Sequence, residues 1–204
     1  NRLKSLQLDS AAAIIPHGTP RFHIDERANV RRSLGIAGKR VLACFGYLLP
    51  DKGFGVLLDA FFRLRQRHPD LHLLLVTSLY PDPASEEEAD RCRVRIAGDP
   101  HGASVTTMTA HLEEVQVHAM LQAADLLIFP YQTTQESSSG AVRFGLASLK
   151  PVACTPLPIF DDVASVVHRL PGISAADIER GLETLLDDPD RLERHADRQA
   201  RWLA

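Results

Sequence analysis

The sequence is poor in cysteine, with three in 204 residues, at positions 44, 92 and 154, and no CxxC pair. An odd number without paired spacing excludes a disulfide framework and suits reduced, buried thiols. Long apolar runs are also missing. Segments such as Leu71 to Val76 and Leu126 to Phe129 fall far short of the roughly 18 residues that a membrane helix needs, so no membrane span is expected. Charge of one sign is not in excess: 23 Lys and Arg against 26 Asp and Glu leave a formal charge of −3. That balance offers no general attraction to phosphodiester chains or anionic lipid. The densest basic stretches, Arg63 to His68 and Arg91 to Arg95, fall on predicted helices as solvated faces, and no nucleic-acid partner is expected. The 12 glycines and 13 prolines are too few for a collagen-like or disordered chain. His, Cys, Asp and Glu nowhere take metal-ligand spacing, and no metal is expected.

What is present is an ordinary globular composition, 45% apolar and 24% charged, long enough to bury a core in one domain. The chain begins at Asn1 and not at Met, so it is expected to be a piece of a longer polypeptide. Ala11 to Pro16 is an apolar run ending in Pro16-His17-Gly18, a strand entering a rigid loop. Asp25 to Leu34 has a polar helical pattern. Near-continuous apolar runs at Arg40 to Gly46 and Leu71 to Thr77 have the character of strands buried on both faces of a parallel sheet. A helix over Phe54 to His68 places Leu57, Ala60, Phe61 and Leu64 on one stripe. Ser85 with Glu88 predicts a capping box, which gives the acidic run Glu86 to Glu88 a structural meaning.

Further on, a weaker strand at Ser104 to Met108, a helix at Glu113 to Ala124 and a strand at Leu126 to Pro130 are predicted. A helix ending near Leu149, a strand at Pro151 to Cys154 and two last helices, capped by Ser174 and started by Pro189, complete the chain. Alternation of strand and helix predicts right-handed β-α-β units and an α/β parallel sheet covered on both faces.

Ligands of open parallel sheets bind beyond the carboxyl ends of the strands, so the loops after each apolar run are the candidate site. In Phe45-Gly46-Tyr47-Leu48-Leu49-Pro50-Asp51-Lys52-Gly53, glycine lets backbone approach a ligand. Lys52 precedes a helix start, where ammonium and amides hold a phosphate, or the lysine is simply solvated in a turn. In Gln135-Glu136-Ser137-Ser138-Ser139-Gly140-Ala141-Val142-Arg143, the small residues form either an N-cap or an anion cradle. Glu136 is placed to accept hydrogen bonds from ligand hydroxyls. His111 either edges a pocket or lies on the surface.

In order, Ile15-Pro16-His17-Gly18, Phe45 to Gly53 with Leu57, Leu58 and Ala60, Ala123-Ala124-Asp125 through Pro130, and Glu136 through Pro151-Val152 resemble the carboxy-terminal domain of retaining GT-B glycosyltransferases, family 4 or group 1. The resemblance covers nearly the whole chain. It implies a Rossmann-like, doubly wound parallel sheet with helices on both faces, binding a nucleoside diphosphate sugar. It also implies a partner, the amino-terminal acceptor-binding domain of the full-length protein, and a helix crossing back to that domain after Ala204; neither is in this chain.

Carried over position by position, Lys52 matches the lysine on the donor diphosphate and Gly46 the strand-end glycine. Glu136 matches the first of two paired glutamates, near the reacting sugar carbon, and is the expected catalytic residue. Ser139 and Gly140 fall where helix-start amides face the diphosphate, and Ser138, Ala141 and His111 are taken with them as candidate donor-binding residues. The family's arginine after the glycine is Tyr47 here, and its second glutamate, a ribose ligand, is Phe144. Arg143, one position earlier, either compensates with positive charge or is a surface helix residue. The implied activity is transfer of a sugar to a hydroxyl acceptor with retention and without a cofactor or metal. The implied role is synthesis of a surface polysaccharide or glycolipid, by a protein that is cytoplasmic or peripheral at the inner membrane face. Tyr47 and Phe144 also support the alternative of a non-catalytic GT-B-like domain serving protein interaction or assembly.

Overall fold

A computed structural model describes residues 18–22 and 25–203. The run Ala11 to Pro16 and His17 lie outside the described residues. The elements are α1 (Arg27–Ser33), β1 (Arg40–Tyr47), α2 (Phe54–Arg67), β2 (Leu71–Ser78), α3 (Pro83–Gly98), β3 (Val105–Met108) and α4 (Glu114–Gln122). They continue with β4 (Leu126–Phe129), α5 (Gly140–Ala147), β5 (Val152–Cys154), β6 (His168–Arg169), α6 (Ala175–Leu186) and α7 (Pro189–Leu203). The strands form one sheet in the order β3-β2-β1-β4-β5-β6, and every adjacent pair is parallel.

The apolar runs are continuous because both faces of the sheet are covered, and side chains alternate between them. Leu42 and Cys44 of β1, with Leu73 and Leu75 of β2, pack with Leu57 and Phe61 of α2 and Leu182 of α6. Their neighbours Val41, Ala43, Leu74 and Val76 pack on the other face with Leu121 of α4 and Leu146 of α5. Full burial of a leucine or phenylalanine contributes about 1.5–3 kcal/mol, so these two layers supply the main favourable free energy. All three cysteines are free and buried. Burial pushes the Cys92 and Cys154 thiols up to about 12, which leaves them protonated and unreactive.

The Asp125 carboxylate joins α1 to the sheet. It accepts from Arg27 at 2.5 Å, from Arg31 at 2.6 Å and from the Val41 amide at 2.7 Å. It stands at the entry to β4 and so ties the amino-terminal ends of the two central strands to one helix.

One local expectation is corrected, and one strand was not foreseen. The cap of α3 is Asp82, whose side chain accepts from the Ala84 amide at 2.8 Å; Pro83 suits the first helical position and starts the helix early. Ser85 is thereby inside the helix and buried, where its hydroxyl accepts from the Tyr80 amide at 2.9 Å. The two-residue strand β6, His168–Arg169, is too short to leave a hydropathy pattern. Ser174 does cap α6, accepting from the Asp177 amide at 3.1 Å. Among the described residues no helix is long and apolar enough to cross a membrane.

His118 on α4 is 1% exposed and stacks on Phe22 with ring centroids 4.3 Å apart. Neither ring nitrogen has a hydrogen-bond partner among the described residues, and burial lowers its pKa. The unfolded chain therefore binds this proton at a higher pH than the native one. Stability is complete above about pH 7 and falls as pH drops through the unfolded value near 6.5 toward the lowered native value. The urea midpoint is expected to be lower at pH 5.5 than at pH 7.5, and His118→Phe is expected to shrink that difference. A difference unchanged in the variant refutes the assignment.

Candidate functional site

In the order 3-2-1-4-5-6 the succession of strands switches from one side of the sheet to the other between β1 and β4, and the loops leaving these two parallel strands flank a crevice. The loop after β1 begins at Gly46, which takes φ of +148° and has nothing within 4 Å of its missing Cβ. Its far end is the turn Pro50–Lys52. Gly53 closes the turn at φ +74°, and a Cβ there would lie 2.0 Å from the Pro130 carbonyl oxygen. Gln132 also donates its amide to the Asp51 carbonyl at 2.7 Å. The turn after β1 therefore rests against the loop after β4, and this contact aims Lys52.

Lys52 is only 6% exposed. Its Nζ lies 2.7 Å from Glu136 Oε2, 3.3 Å from Asp51 Oδ2 and 4.4 Å from the centre of the Tyr131 ring. The ammonium is thus met by two carboxylates and an aromatic face, which compensate its burial. Burial pushes the Tyr131 phenol up from its ordinary value. Its OH and the Ser139 Oγ are 3.1 Å apart, and that Oγ accepts from the Val142 amide at 3.3 Å. Ser139 is therefore the N-cap of α5. The amides of Gly140 and Ala141 precede the first intrahelical donor and remain for a ligand.

These groups share one hollow of about 910 Å³. Lys52, Glu136, Ser139, Gly140 and Ala141 line its polar end; Phe45, Leu112, Val117 and Phe144 form an apolar wall. Tyr47 and Tyr80 meet edge to face at the rim, with centroids 5.2 Å apart, and His111 joins the lining. Lys52 is the one Lys or Arg on that lining among the described residues. Because two carboxylates already face it, any anion entering here must draw much of its stabilisation from the backbone donors and dipole of α5. Among the described residues no group of three or more His, Cys, Asp or Glu could hold a metal.

Most expected site residues converge here: Gly46, Tyr47, Lys52 and His111 from the first half, Glu136, Ser139, Gly140 and Ala141 from the second. Ser138 and Arg143 are not on the lining. Arg143 is neither a cation of the hollow nor a surface residue. It is 3% exposed, ion-paired to Asp162, with its guanidinium 5.3 Å from the centre of the Trp202 ring. Although Gly140, Arg143 and Phe144 lie at i, i+3 and i+4, the Arg143 side chain is spent on Asp162 and the Trp202 ring and does not reach the ligand space. Sequence reasoning overlooked Tyr131 and Tyr80. Both follow apolar strands, β4 and β2, so attention to every strand's carboxyl end would have found them.

Residues 39–188 match the profile of the family described as Glycosyl transferases group 1. The chain belongs to the group 1 glycosyl transferases. It is 30% identical over 137 residues to the lipopolysaccharide 1,2-N-acetylglucosaminetransferase of Salmonella typhimurium, a match covering 66% of this chain and 36% of that protein. It is 28% identical over 145 residues to the uncharacterized glycosyltransferase YqgM of Bacillus subtilis, covering 69% of this chain and 34% of that one. The match thus spans about a third of the length of either relative. Among solved structures, Anabaena HepE in complex with UDP-glucose superposes with a TM-score of 0.76 at 16% identity, over 90% of this chain and 49% of HepE. The carboxy-terminal domain of the group 1 glycosyl transferase LpcC from Francisella tularensis gives 0.68 at 15% identity, covering 87% of this chain and 94% of that domain. The GT-B half-fold expected from the motifs is the observed fold.

Gly53→Ala tests the contact that aims Lys52. A left-handed φ and an approach to immovable backbone together are expected to cost more than about 2 kcal/mol. Urea denaturation measures the loss, and a cost near zero would show that the turn does not rest on the β4 loop.

Proposed function

We propose that this chain is the donor-sugar domain of a retaining group 1 glycosyl transferase, its hollow taking a nucleoside diphosphate sugar. The observation that carries the reading is Lys52 Nζ standing 2.7 Å from Glu136 Oε2 in the same hollow as the start of α5. In this reading the diphosphate enters between ammonium and carboxylate. Lys52 and the Gly140 and Ala141 amides stabilise its charge as the sugar bond breaks, and no metal or other cofactor is required. Glu136, displaced from the lysine, turns its oxygens to the sugar hydroxyls near the reacting carbon. Ser138 acts through the backbone of the α5 approach, and His111 and Tyr47 edge the donor at the rim.

The complete protein, in this reading, pairs the chain with an amino-terminal acceptor-binding domain. The reaction needs both halves, since donor and acceptor must be held at contact distance. The kinship with a lipopolysaccharide glycosyltransferase supports a role in surface polysaccharide or glycolipid synthesis, at the cytoplasmic side of the membrane.

A second reading, a domain that has lost its donor and serves protein interaction or assembly, draws on Phe144. Its ring packs against Phe45 with centroids 5.6 Å apart and closes part of the hollow with an apolar surface.

Isothermal titration with UDP, GDP and ADP separates the two. One nucleotide is expected to bind, and Lys52→Ala is expected to weaken it about ten- to a hundredfold, the worth of a charge-assisted hydrogen bond. Absence of binding by all three nucleotides refutes the donor role and leaves the second reading.

A further inference from the structure

A second cavity, of about 620 Å³, lies between β6 and α7 and shares no lining residue with the donor hollow. Its lining carries four arginines, Arg169 from β6 and Arg191, Arg194 and Arg198 from α7, with His168 and His195 between them. Asp188 is the one carboxylate on that lining among the described residues. In a chain whose formal charge is −3, this is a local concentration of the opposite sign.

The arrangement has no evident structural reason. On α7 the arginines recur at positions 191, 194, 198 and 201, the three- and four-residue spacing at which like charges meet on one helix face and repel. Elsewhere in the fold, arginines at such spacing are matched by acids, as Arg91 is by Glu88 and Arg180 by Asp177. Here the compensation is incomplete. Arg169 is held by Asp161 at 2.6 Å, and Arg194 reaches Asp188 only at 3.7 Å. Asp188 spends its other oxygen on the Arg191 amide at 2.9 Å. The guanidinium groups of Arg191 and Arg198 have no acceptor among the described residues. The Arg169 Nε and His195 Nδ1 are buried atoms without a hydrogen-bond partner among the described residues.

Two elements therefore point guanidinium forks into one space with donors to spare. A group that spreads charge over several oxygens satisfies such forks, and phosphate does so with bidentate geometry. The volume falls within the range of about 300–1,000 Å³ usual for small-molecule sites, more than a lone ion occupies. We propose that the cavity between β6 and α7 is a second anion site, taking the phosphate or pyrophosphate group of a small metabolite or of a lipid head group. Burial, with Arg191 and His195 beside it, holds His168 down at about 4, as expected where cations already converge.

The proposal is independent of the donor reading and is tested on the chain itself. Under the donor reading inorganic pyrophosphate would also enter the donor hollow, so the readout must be local. The ring resonances of His168 and His195, assigned by substitution, are followed by NMR while pyrophosphate is added. In parallel, sedimentation with phosphatidylcholine vesicles containing phosphatidylglycerol measures lipid binding. The double variant R191Q/R198Q removes two unpaired guanidinium groups and is expected to fold normally by circular dichroism. R93Q/R180Q removes the same charge from exposed side chains elsewhere.

The expected result is a shift of both histidine signals that needs about tenfold more pyrophosphate in R191Q/R198Q and is unchanged in R93Q/R180Q, the loss of charged hydrogen bonds. That outcome assigns a soluble phosphate ligand. If the histidines ignore pyrophosphate but vesicle binding falls in R191Q/R198Q alone, the ligand is the lipid phosphate. If neither probe responds, or if both double variants weaken binding equally, the site does not exist.

Discussion

The ion pair between Lys52 and Glu136 is the interaction on which the site turns, because it joins loops from two strands that are far apart in sequence and adjacent in space. A nearly buried ammonium is tolerable only with compensation, and here Asp51, Glu136 and the face of Tyr131 provide it. The same compensation limits what the lysine can offer a ligand. An anion entering the hollow competes with a carboxylate already in place, so the backbone donors of α5 carry more of the recognition than one cation among open solvent would require.

That pair can exist because of the order of the strands. Placing β4 beside β1 brings the two loops to one crevice, and the register Leu42↔Leu126 and Ala43↔Leu127 sets how far each strand runs before its loop begins. Below, Asp125 fastens the opposite ends of the same strands to α1. Above, Gly53 and the Gln132 amide fasten the loops to each other. The functional groups sit on short irregular segments, but each segment is fixed by backbone contacts to the rigid sheet, which is how a loop holds a geometry.

Much of this was legible in the residues. The strands β1, β2 and β4 were readable because burial on both faces leaves continuous apolar runs, and α2 because its stripe repeats at helical spacing. The loops carrying Lys52 and Glu136 were readable because they follow those runs. What stayed hidden depended on tertiary contact. Arg143 looks like a free cation in sequence, but its partners Asp162 and Trp202 lie far along the chain. Tyr131 looks like the end of an apolar strand until Lys52 is placed over it. Ser85 and Glu88 have the spacing of a capping box, yet Asp82 and Pro83 begin the helix sooner. Strand β6 has two residues and no periodicity to detect.

The Ser139 hydroxyl has one further implication. It is engaged by both the Val142 amide and the Tyr131 phenol, and the Tyr131 ring packs in turn on Phe160 and Phe129, with centroids 5.1 Å and 6.3 Å away. The mouth of α5 is thus braced from inside the apolar layer. Its shape is inherited from the packing of rings that no ligand touches, so substitutions deep in that layer have a route to altering ligand preference while every contacting side chain stays the same.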